Sequence, residues 1–374
     1  MIPGFSFART AGDDAGPRVG RFETPHGVVA TPAFMPVATQ GAVKGVTPDQ
    51  VRETGAQILL SNTYHLHVRP GEERVAALGG LHRFTGWDGP ILTDSGGFQV
   101  MSLAELCHID DAGVTFRSHL DGAEVRLTPE KALQIQARLG TDIAMVLDHC
   151  PPGKVDRDEA VEALERTIRW AHASIEARDG LATASPMAVF AISQGGAHED
   201  LRAESAERLR ELPFDGFAVG GVSVGEDRDL LLATIPWAAR GLPADRPRYL
   251  MGVAGFQEFV VAIESGIDLF DCVLPTRNAR NGLLYLRTGE EIRLKNHAHA
   301  TDPGPIDPDC DCATCARFSR GFLHHLIRRK ELLGYTLTSI HNLRVFHWFL
   351  EEARAAIAAG EWGAFSARYR RVAG

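Results

Sequence analysis

The stretch Asp268-Leu-Phe-Asp271-Cys-Val-Leu-Pro-Thr-Arg277-Asn-Ala-Arg280 joins an apolar strand pattern, Ile267 to Val273, to a predicted loop that bears two arginines. Asp271 lies near the end of the strand pattern, where burying an unpaired carboxylate would cost on the order of several kcal/mol. The two arginines would suit an anionic substrate held across the reacting group. The alternative interpretation is that Asp271 caps the next turn and that both arginines are solvated or salt-bridged.

The same arrangement recurs along the chain. Five other apolar runs end in a polar residue or in glycine: Ile91–Asp94, Ile143–Asp148, Ala188–Gln194, Phe217–Gly221 and Tyr249–Gly252. Between the runs lie segments with apolar residues at helical three- and four-residue spacing: Glu159–Arg178, Glu199–Leu212, Arg228–Arg240 and Gln257–Ser265. Strands that alternate with helices predict a parallel sheet.

Polar residues at the carboxyl ends of many parallel strands predict an α/β protein with a (β/α)8 TIM barrel, whose site lies on that face. A doubly wound open sheet is the alternative. No G-x-G-x-x-G follows a strand pattern, which weakens a dinucleotide-binding version of that sheet. The 374 residues are enough for one barrel and an appendage.

Composition and charge narrow the class of protein. No apolar run reaches the ~18 residues that a membrane span requires, and the first residues, Met1-Ile-Pro-Gly, lack a basic-then-apolar signal segment. We therefore expect a cytoplasmic enzyme. The formal net charge of −9 argues against a general nucleic-acid coat protein. It leaves room for a nucleic-acid substrate, because a local basic patch is enough for phosphate contact.

Three cysteines within six residues, Cys310, Cys312 and Cys315, predict one soft metal ion. A structural zinc site needs a fourth ligand, and the candidates are His297, His299, His324, His325, His341 and His347. An iron–sulfur cluster would usually require a fourth cysteine, and the other cysteines are far away in sequence. We expect a barrel domain over residues 1–295, a zinc-binding subdomain over 296–346, and C-terminal helices over 347–374.

The predicted zinc-binding segment is more basic than the rest of the chain. Its cations are Arg317, Arg320, Arg328, Arg329 and Lys330. They form either a solvated helix face or a phosphate-contacting surface beside the barrel mouth. For RNA contact we select Arg277, Arg280 and the segment 328–330.

Seven motifs occur in a fixed order, and together they are specific, although none is specific alone. They are Thr93-Asp-Ser-Gly-Gly-Phe-Gln99, Gln194-Gly195, Phe217-Ala-Val-Gly-Gly-Val-Ser-Val-Gly-Glu226, Tyr249-Leu-Met-Gly-Val253, Phe270-Asp-Cys-Val-Leu-Pro-Thr-Arg277, Cys310-Asp-Cys-Ala-Thr-Cys315 and Ile340-His-Asn-Leu343. In this combination the chain resembles bacterial tRNA-guanine transglycosylase from about Gly20 to about Phe346.

The resemblance implies a pentosyltransferase with a (β/α) barrel and a zinc subdomain, commonly a homodimer. Such an enzyme removes guanine from the wobble position of tRNAs with GUN anticodons and inserts 7-aminomethyl-7-deazaguanine, the precursor of queuosine. Asp271 is similar to the family's nucleophile, and Asp94 resembles its general acid/base. Base-binding positions correspond to Ser95, Asp148, Gln194, Gly220, Gly221 and Gly252, with Phe98 and Met251 sandwiching the base. The zinc ligands match Cys310, Cys312, Cys315 and His341.

General chemistry agrees with these roles. Breaking an N-glycosidic bond creates an oxocarbenium-like centre, which one carboxylate can trap while a second group moves protons. Exchanging one base for another with retention requires a covalent enzyme–sugar intermediate. The base must also leave its stack, so a flat pocket with a hydrogen-bonding edge is expected.

The chain departs from the family at His149, where Glu usually follows the aspartate of Asp148-His149-Cys150. We expect this change to alter the charge beside the pocket. Val224 fits the bacterial version, since enzymes that accept the bulky base queuine carry a smaller residue there.

Three alternatives remain open at this point. The chain could be a catalytically silent tRNA-binding partner subunit, which would be expected to lack Asp94 or Asp271; both are present. It could be a relative that inserts queuine or another deazaguanine. It could also be a metal-stabilised barrel with an unrelated small-molecule reaction, which would have no affinity for tRNA.

Overall fold

The computed structural model describes residues 2–97, 107–118, 122–181 and 186–370, and its centre is a closed barrel of eight parallel strands. In chain order these strands are β4 (Ala33–Ala38), β5 (Leu59–Ser61), β6 (Ile91–Thr93), β10 (Ile143–Met145), β11 (Ala188–Ser193), β12 (Gly216–Val219), β13 (Arg248–Leu250) and β14 (Leu269–Cys272). Pairing of β14 with β4, where Leu269 lies opposite Ala33, closes the ring. The predicted (β/α) barrel is confirmed.

The remaining strands form small antiparallel sheets outside the barrel. They are β1 (Ser6–Gly12), β2 (Arg18–Thr24) and β3 (Gly27–Thr31) in one sheet, β7 (Cys107–Asp110), β8 (Gly113–Arg117) and β9 (Glu124–Leu127) in a second, and β15 (Leu283–Tyr285) with β16 (Glu291–Arg293) in a hairpin.

The described helices lie between and after the barrel strands. They are α1 (Pro48–Glu53), α2 (Thr63–Val68), α3 (Glu72–Ala77), α4 (Gly80–Thr85), α5 (Pro129–Leu139), α6 (Arg157–Asp179), α7 (Glu199–Arg210), α8 (Arg228–Ala239), α9 (Phe256–Glu264), α10 (Leu274–Asn281), α11 (Ala313–Arg317), α12 (Arg320–Arg329), α13 (Leu332–Ala358) and α14 (Trp362–Arg370), with a short 3-10 turn at His297–His299. No helix among the described residues is long and apolar enough to cross a membrane.

Local sequence explains these elements well. Every residue of β11 is buried, as expected for a parallel strand covered on both faces. Helix α5 begins where the Thr128 side chain accepts a hydrogen bond from the Lys131 amide, and it ends at Gly140, which has φ +73°. Such caps satisfy backbone groups that the helix itself leaves unpaired.

One local expectation was wrong. Arg277 and Arg280 do not lie in a loop, because the residues after β14 form the two-turn helix α10. Pro275 is compatible with the first turn, where no amide hydrogen bond is lost, and Gly282 ends the helix in the left-handed region at φ +80°. The first turn of α10 therefore begins two residues after the end of β14, directly beside the carboxyl end of the barrel.

A buried ion pair lies at the amino end of the barrel strand β14. Arg18 and Asp268 are both fully buried, and Arg18 Nε donates to Asp268 Oδ1 at 3.0 Å. The Arg248 amide also donates to Asp268 Oδ2 at 2.8 Å. These bonds satisfy charges that would otherwise be costly to bury, and they tie β2 to the start of β14.

The C-terminal part of the chain packs against the barrel through α13. Phe346 on this helix contacts Phe34 of β4, with ring centroids 5.5 Å apart. The helix runs without interruption through position 346, where the expected zinc-binding subdomain ends. One rigid element thus spans the metal-ligand segment and the segment that covers the barrel.

Candidate active site

A pocket of about 400 Å³ opens at the carboxyl ends of the barrel strands. Eight of the residues predicted from the sequence to form the site line this pocket: Asp94, Ser95, Asp148, Gly220, Gly221, Met251, Gly252 and Asp271. They come from five different strand ends, so the barrel brings together residues up to 177 positions apart in the chain, from 94 to 271. This is the face on which TIM-barrel sites are built.

Asp271 is held through one of its two oxygens. The Tyr249 hydroxyl donates to Oδ1 at 2.6 Å, and the Gly252 amide donates to the same atom at 2.7 Å. Among the described residues no hydrogen bond is formed to Oδ2. Burial raises the pKa of Asp271, while the bonds from Tyr249 and Gly252 act in the opposite direction. The carboxylate is oriented, with one oxygen directed at the pocket.

Asp94 is buried directly after β6 and is held at both oxygens. The Thr63 amide donates to Oδ1 at 2.8 Å, and the Asn62 side-chain amide donates to Oδ2. Asn62 follows β5, so the neighbouring strand end positions this carboxylate. Neither Asn62 nor Tyr249 was predicted as a site residue, although Asn62 is a polar residue after a short apolar run, the pattern found at the other strand ends.

Asp148 forms a buried hydrogen-bonded pair with Gln194 from the next strand. Gln194 Nε2 donates to Asp148 Oδ2 at 2.7 Å, and Ser95 Oγ lies 3.5 Å from Oδ1. Burial raises the pKa of Asp148 to about 6, against the opposing effect of the Gln194 and Ser95 bonds. Gln194 is fully buried behind the pocket wall, and its Oε1 has no partner among the described residues.

Gly220 and Gly221 follow β12 and leave no room for side chains. Gly221 has φ +65°, and a Cβ there would lie 2.2 Å from Gln194 Oε1. A Cβ at Gly220 would lie 2.6 Å from Ile192 Cγ2 and 2.7 Å from Gln194 Nε2. Glycine at these positions therefore allows both the backbone turn and the close approach of Gln194.

Met251 and Gly252 follow β13 and line the pocket. Phe98, selected as the partner of Met251 in a sandwich around the base, lies outside the described residues. Val224 also lines the pocket, as does Cys150.

The side chain of His149, expected beside the pocket, points towards helix α6. Its side chain is absent from the pocket lining and contacts helix α6, where Arg166 Nη1 lies 2.9 Å from His149 Nδ1. Burial, and then the charge of Arg166, lower the pKa of His149 to about 4. The imidazole is thus neutral near pH 7 and faces away from Asp148. A neutral imidazole in place of a carboxylate still removes one negative charge, but the His149 side chain lies outside the pocket lining.

The two arginines of α10 lie just beyond Asp271. Arg277 is exposed, Arg280 is half-buried, and no described carboxylate forms an ion pair with either. Arg280 Nη1 is buried without a partner among the described residues. Arg328, Arg329 and Lys330, at the end of α12, are exposed. These cations, on α10 beyond Asp271 and at the end of α12, have no described carboxylate partner and provide a surface for anions.

A group of potential metal ligands lies where the segment at α11 meets α13. Atoms of Cys310, Cys312, Cys315 and His341 lie within 4.8 Å of one another, and His341 Nδ1 is 3.3 Å from Cys315 Sγ. His341 Nε2 is 2.8 Å from the Tyr285 carbonyl oxygen, and donation there leaves Nδ1 free to bind a metal. Three thiols and one imidazole suit a closed tetrahedral metal site. Of the six histidines considered, His341 joins the cysteines.

His26, His82 and Asp142 form another cluster at the opposite end of the barrel. His26 Nδ1 and His82 Nε2 lie 2.6 and 3.0 Å from the two carboxylate oxygens of Asp142. The two rings are stacked, with centroids 3.6 Å apart. An ion bound by both rings would lie well out of each ring plane, so this geometry favours hydrogen bonds to the carboxylate.

Comparison with known proteins identifies relatives along nearly the whole chain. The family model described as queuine tRNA-ribosyltransferase matches residues 13–373. A queuine tRNA-ribosyltransferase from Aromatoleum aromaticum is 52% identical over 353 residues, which cover 94% of this chain and 95% of the relative. The protein of that name from Cyanothece sp. is 54% identical over 340 residues, or 91% of this chain and 88% of the relative. That from Dinoroseobacter shibae is 48% identical over 369 residues, or 99% and 97%.

Proposed function

The chain belongs to the queuine tRNA-ribosyltransferase family of tRNA-guanine transglycosylases, and we propose that it exchanges guanine at the wobble position of GUN-anticodon tRNAs for 7-aminomethyl-7-deazaguanine. The reaction passes through a covalent bond between Asp271 and the ribose and belongs to queuosine biosynthesis. The observation that carries this proposal is the pairing of two differently held aspartates, Asp271 and Asp94, in one pocket.

Asp271 is suited to be the nucleophile. Tyr249 and Gly252 bind Oδ1, which leaves Oδ2 to attack C1′ of the ribose. The bond between C1′ and the base breaks as the oxocarbenium-like centre forms, and the aspartyl ester then holds the tRNA. The incoming base attacks C1′ from the face that the first base left, and Asp271 is released as a carboxylate. Two displacements preserve the configuration at C1′.

Asp94 is the proposed general acid/base. It would give a proton to the departing guanine and take one from the incoming base, which general acid–base catalysis requires at the same place in both half-reactions. The bonds from Asn62 and Thr63 hold its carboxylate in a single orientation for that transfer.

The base is recognised by three kinds of group. Asp148 accepts hydrogen bonds from the N–H edge of guanine, and Gln194 holds Asp148 in position. The backbone amides that follow Gly220 approach the base carbonyl, because neither Gly220 nor Gly221 has a side chain that would block it. Met251 packs on one face of the base, and Phe98 is proposed for the other. Val224 in the pocket lining favours the small aminomethyl base over queuine.

The RNA backbone is bound by a set of arginines and a lysine: Arg277, Arg280 and the segment 328–330. This proposal is supported by the lack of carboxylate partners for these cations among the described residues. A structural Zn2+ is held by Cys310, Cys312, Cys315 and His341, and when bound it would cross-link the segment at α11 to α13.

The active form is proposed to be a cytoplasmic homodimer. Its proposed domains are the barrel over residues 1–295, the zinc-binding subdomain over 296–346 and the C-terminal helices over 347–374.

Labelled guanine and unmodified GUN-anticodon tRNA test the proposal directly. Wild-type protein should incorporate labelled guanine, and 7-aminomethyl-7-deazaguanine should chase it out faster than queuine does. Asp271→Asn should bind tRNA yet give no protein–RNA adduct on a denaturing gel. Failure of the wild-type protein to exchange guanine, or an undiminished adduct in the variant, would refute the proposal or reassign the nucleophile.

A further inference from the structure

A fully buried arginine lies directly behind the pocket wall. Arg202, on the first turn of α7, has no exposed surface. Its guanidinium donates to four backbone carbonyls: those of Gly196 at 2.8 Å, Ser193 at 3.1 Å, Gly220 at 2.8 Å and Gly221 at 3.1 Å. No described carboxylate forms an ion pair with it. Burial lowers the pKa of Arg202 to about 10, so it remains a cation at neutral pH.

The contacts of Arg202 determine where two amides point. In a trans peptide the N–H is directed opposite to the preceding carbonyl. Arg202 binds the carbonyls of Gly220 and Gly221 from behind, so the N–H groups of Gly221 and Val222 face the other way, towards the pocket that both residues line. Within the described chain, neither N–H donates to a backbone carbonyl. The Gly221 amide faces the Cys150 thiol, which also lines the pocket.

The same contacts favour donation by these amides. A cation at the carbonyl end of a peptide polarises the group and strengthens its N–H as a donor in a site of low dielectric. When the bond between C1′ and the base breaks, its electron pair passes to the purine, and negative charge spreads to the carbonyl oxygen of the base. Preorganised donors at that oxygen stabilise the transition state.

We infer that Arg202 is a positioning residue that aims the amides of Gly221 and Val222 at the carbonyl oxygen of the bound base. This inference rests on the proposed function, because it requires the pocket to hold a purine with a carbonyl group. Arg202 itself does not touch the base.

Equilibrium binding of three purines to the full-length protein tests the inference. Guanine and hypoxanthine carry the carbonyl, whereas 2-aminopurine lacks it. Arg202→Lys keeps the charge and loses the fork that reaches several carbonyls. We expect this variant to bind guanine and hypoxanthine about tenfold more weakly, comparable to one lost hydrogen bond. Its affinity for 2-aminopurine should stay within about twofold of wild type.

Arg248→Lys is the matched control. Arg248 is also buried and donates to backbone carbonyls, those of Leu242, Pro243 and Asp14, but it lies at the amino end of β13, away from the pocket. It should lower stability without changing the ratio of guanine to 2-aminopurine affinity. Equal weakening of all three purines by Arg202→Lys, or no weakening, would overturn the inference.

A measurement on wild-type protein tests the amide–carbonyl contact that the inference requires, even if Arg202→Lys does not fold. With 15N-glycine labelling, the Gly221 amide resonance should shift on adding guanine or hypoxanthine and stay in place with 2-aminopurine. A Gly221 amide that responds alike to all three purines would overturn the inference. Wild-type protein that exchanges no guanine would refute the proposed function instead, so the two failures are distinguishable.

Discussion

Asp268 directly precedes the barrel strand β14, and Asp271 lies three residues later, near the carboxyl end of that strand. The two carboxylates have different hydrogen-bond partners. Asp268 is fully buried at the amino end and is neutralised by Arg18. Asp271 faces the pocket at the carboxyl end and receives neutral donors, Tyr249 and Gly252, on one oxygen. The first arrangement stabilises a fold, whereas the second leaves an oxygen available for reaction.

Tyr249→Phe should impair the reaction through the pKa of Asp271. The Tyr249 hydrogen bond lowers this pKa, so its loss should raise it further and leave less of the reactive carboxylate. We expect kcat/KM to fall and its acidic limb to move to higher pH, with tRNA affinity little changed. A pH–rate profile of guanine exchange checks this; an unmoved acidic limb would contradict it.

Guanine affinity should depend on pH through Asp148. Its pKa of about 6 means that the accepting carboxylate is present above that pH and is lost as the pH falls through it. Binding of guanine should therefore weaken below about pH 6, by up to tenfold for each pH unit. Titration calorimetry of wild type and Asp148→Asn would show the dependence in the first and its absence in the second.

His149→Gln is the control for that titration. An ordinary histidine would titrate close to the same pH, but the pKa of His149 is lowered to about 4. The variant should keep the wild-type pH dependence. If the dependence disappears in His149→Gln, the titrating group has been assigned to the wrong residue.

Cys312→Ser should reduce bound zinc and loosen the region around α13 before the barrel. Structural zinc contributes its binding energy to folding, and α13 carries both His341 and Asn342. Asn342 Nδ2 donates to the carbonyls of Pro275, in α10, and Leu283, just after it. We expect metal content to fall from about one zinc per chain and amide hydrogen exchange to rise in α13 and α10. Cys107→Ser, outside the ligand group, should change neither. Finding iron in the wild-type protein would refute the zinc assignment.

Arg280→Ala should weaken tRNA binding and reduce its salt dependence. Each phosphate contact contributes about 0.7–0.9 to the slope of log affinity against log salt concentration, so the slope should fall by about one contact. The free base that is accepted should not change. Arg138→Ala is the control, because Arg138 pairs with Glu73 and lies in the last turn of α5, which leads into the amino end of β10. Altered base choice in Arg280→Ala would mean that this residue reads the base.

Much of the architecture follows from local pattern. The apolar runs predicted six of the eight barrel strands, and the helical spacing predicted the four helices between β10 and β14 closely; α8, for instance, ends at Ala239 where Arg240 was expected. Helix α5, between β6 and β10, was not predicted. The cysteine spacing likewise predicted that Cys310, Cys312 and Cys315 lie together in a group able to hold a metal ion. Such features depend on residues within about one turn of helix or one strand, so their periodicity is visible in sequence.

Contacts between distant segments needed the tertiary structure. The short strands β4 and β5 were not predicted, so Asn62, which follows β5 and donates to Asp94, was missed. Nothing in the sequence indicated that His149 contacts Arg166, or that Arg202 donates to carbonyls at the ends of β11 and β12. Sequence alone determined which polar residues end the strands, because that order is local. Which of them meet, and which oxygen stays free, depended on barrel closure, which joins groups far apart in the chain.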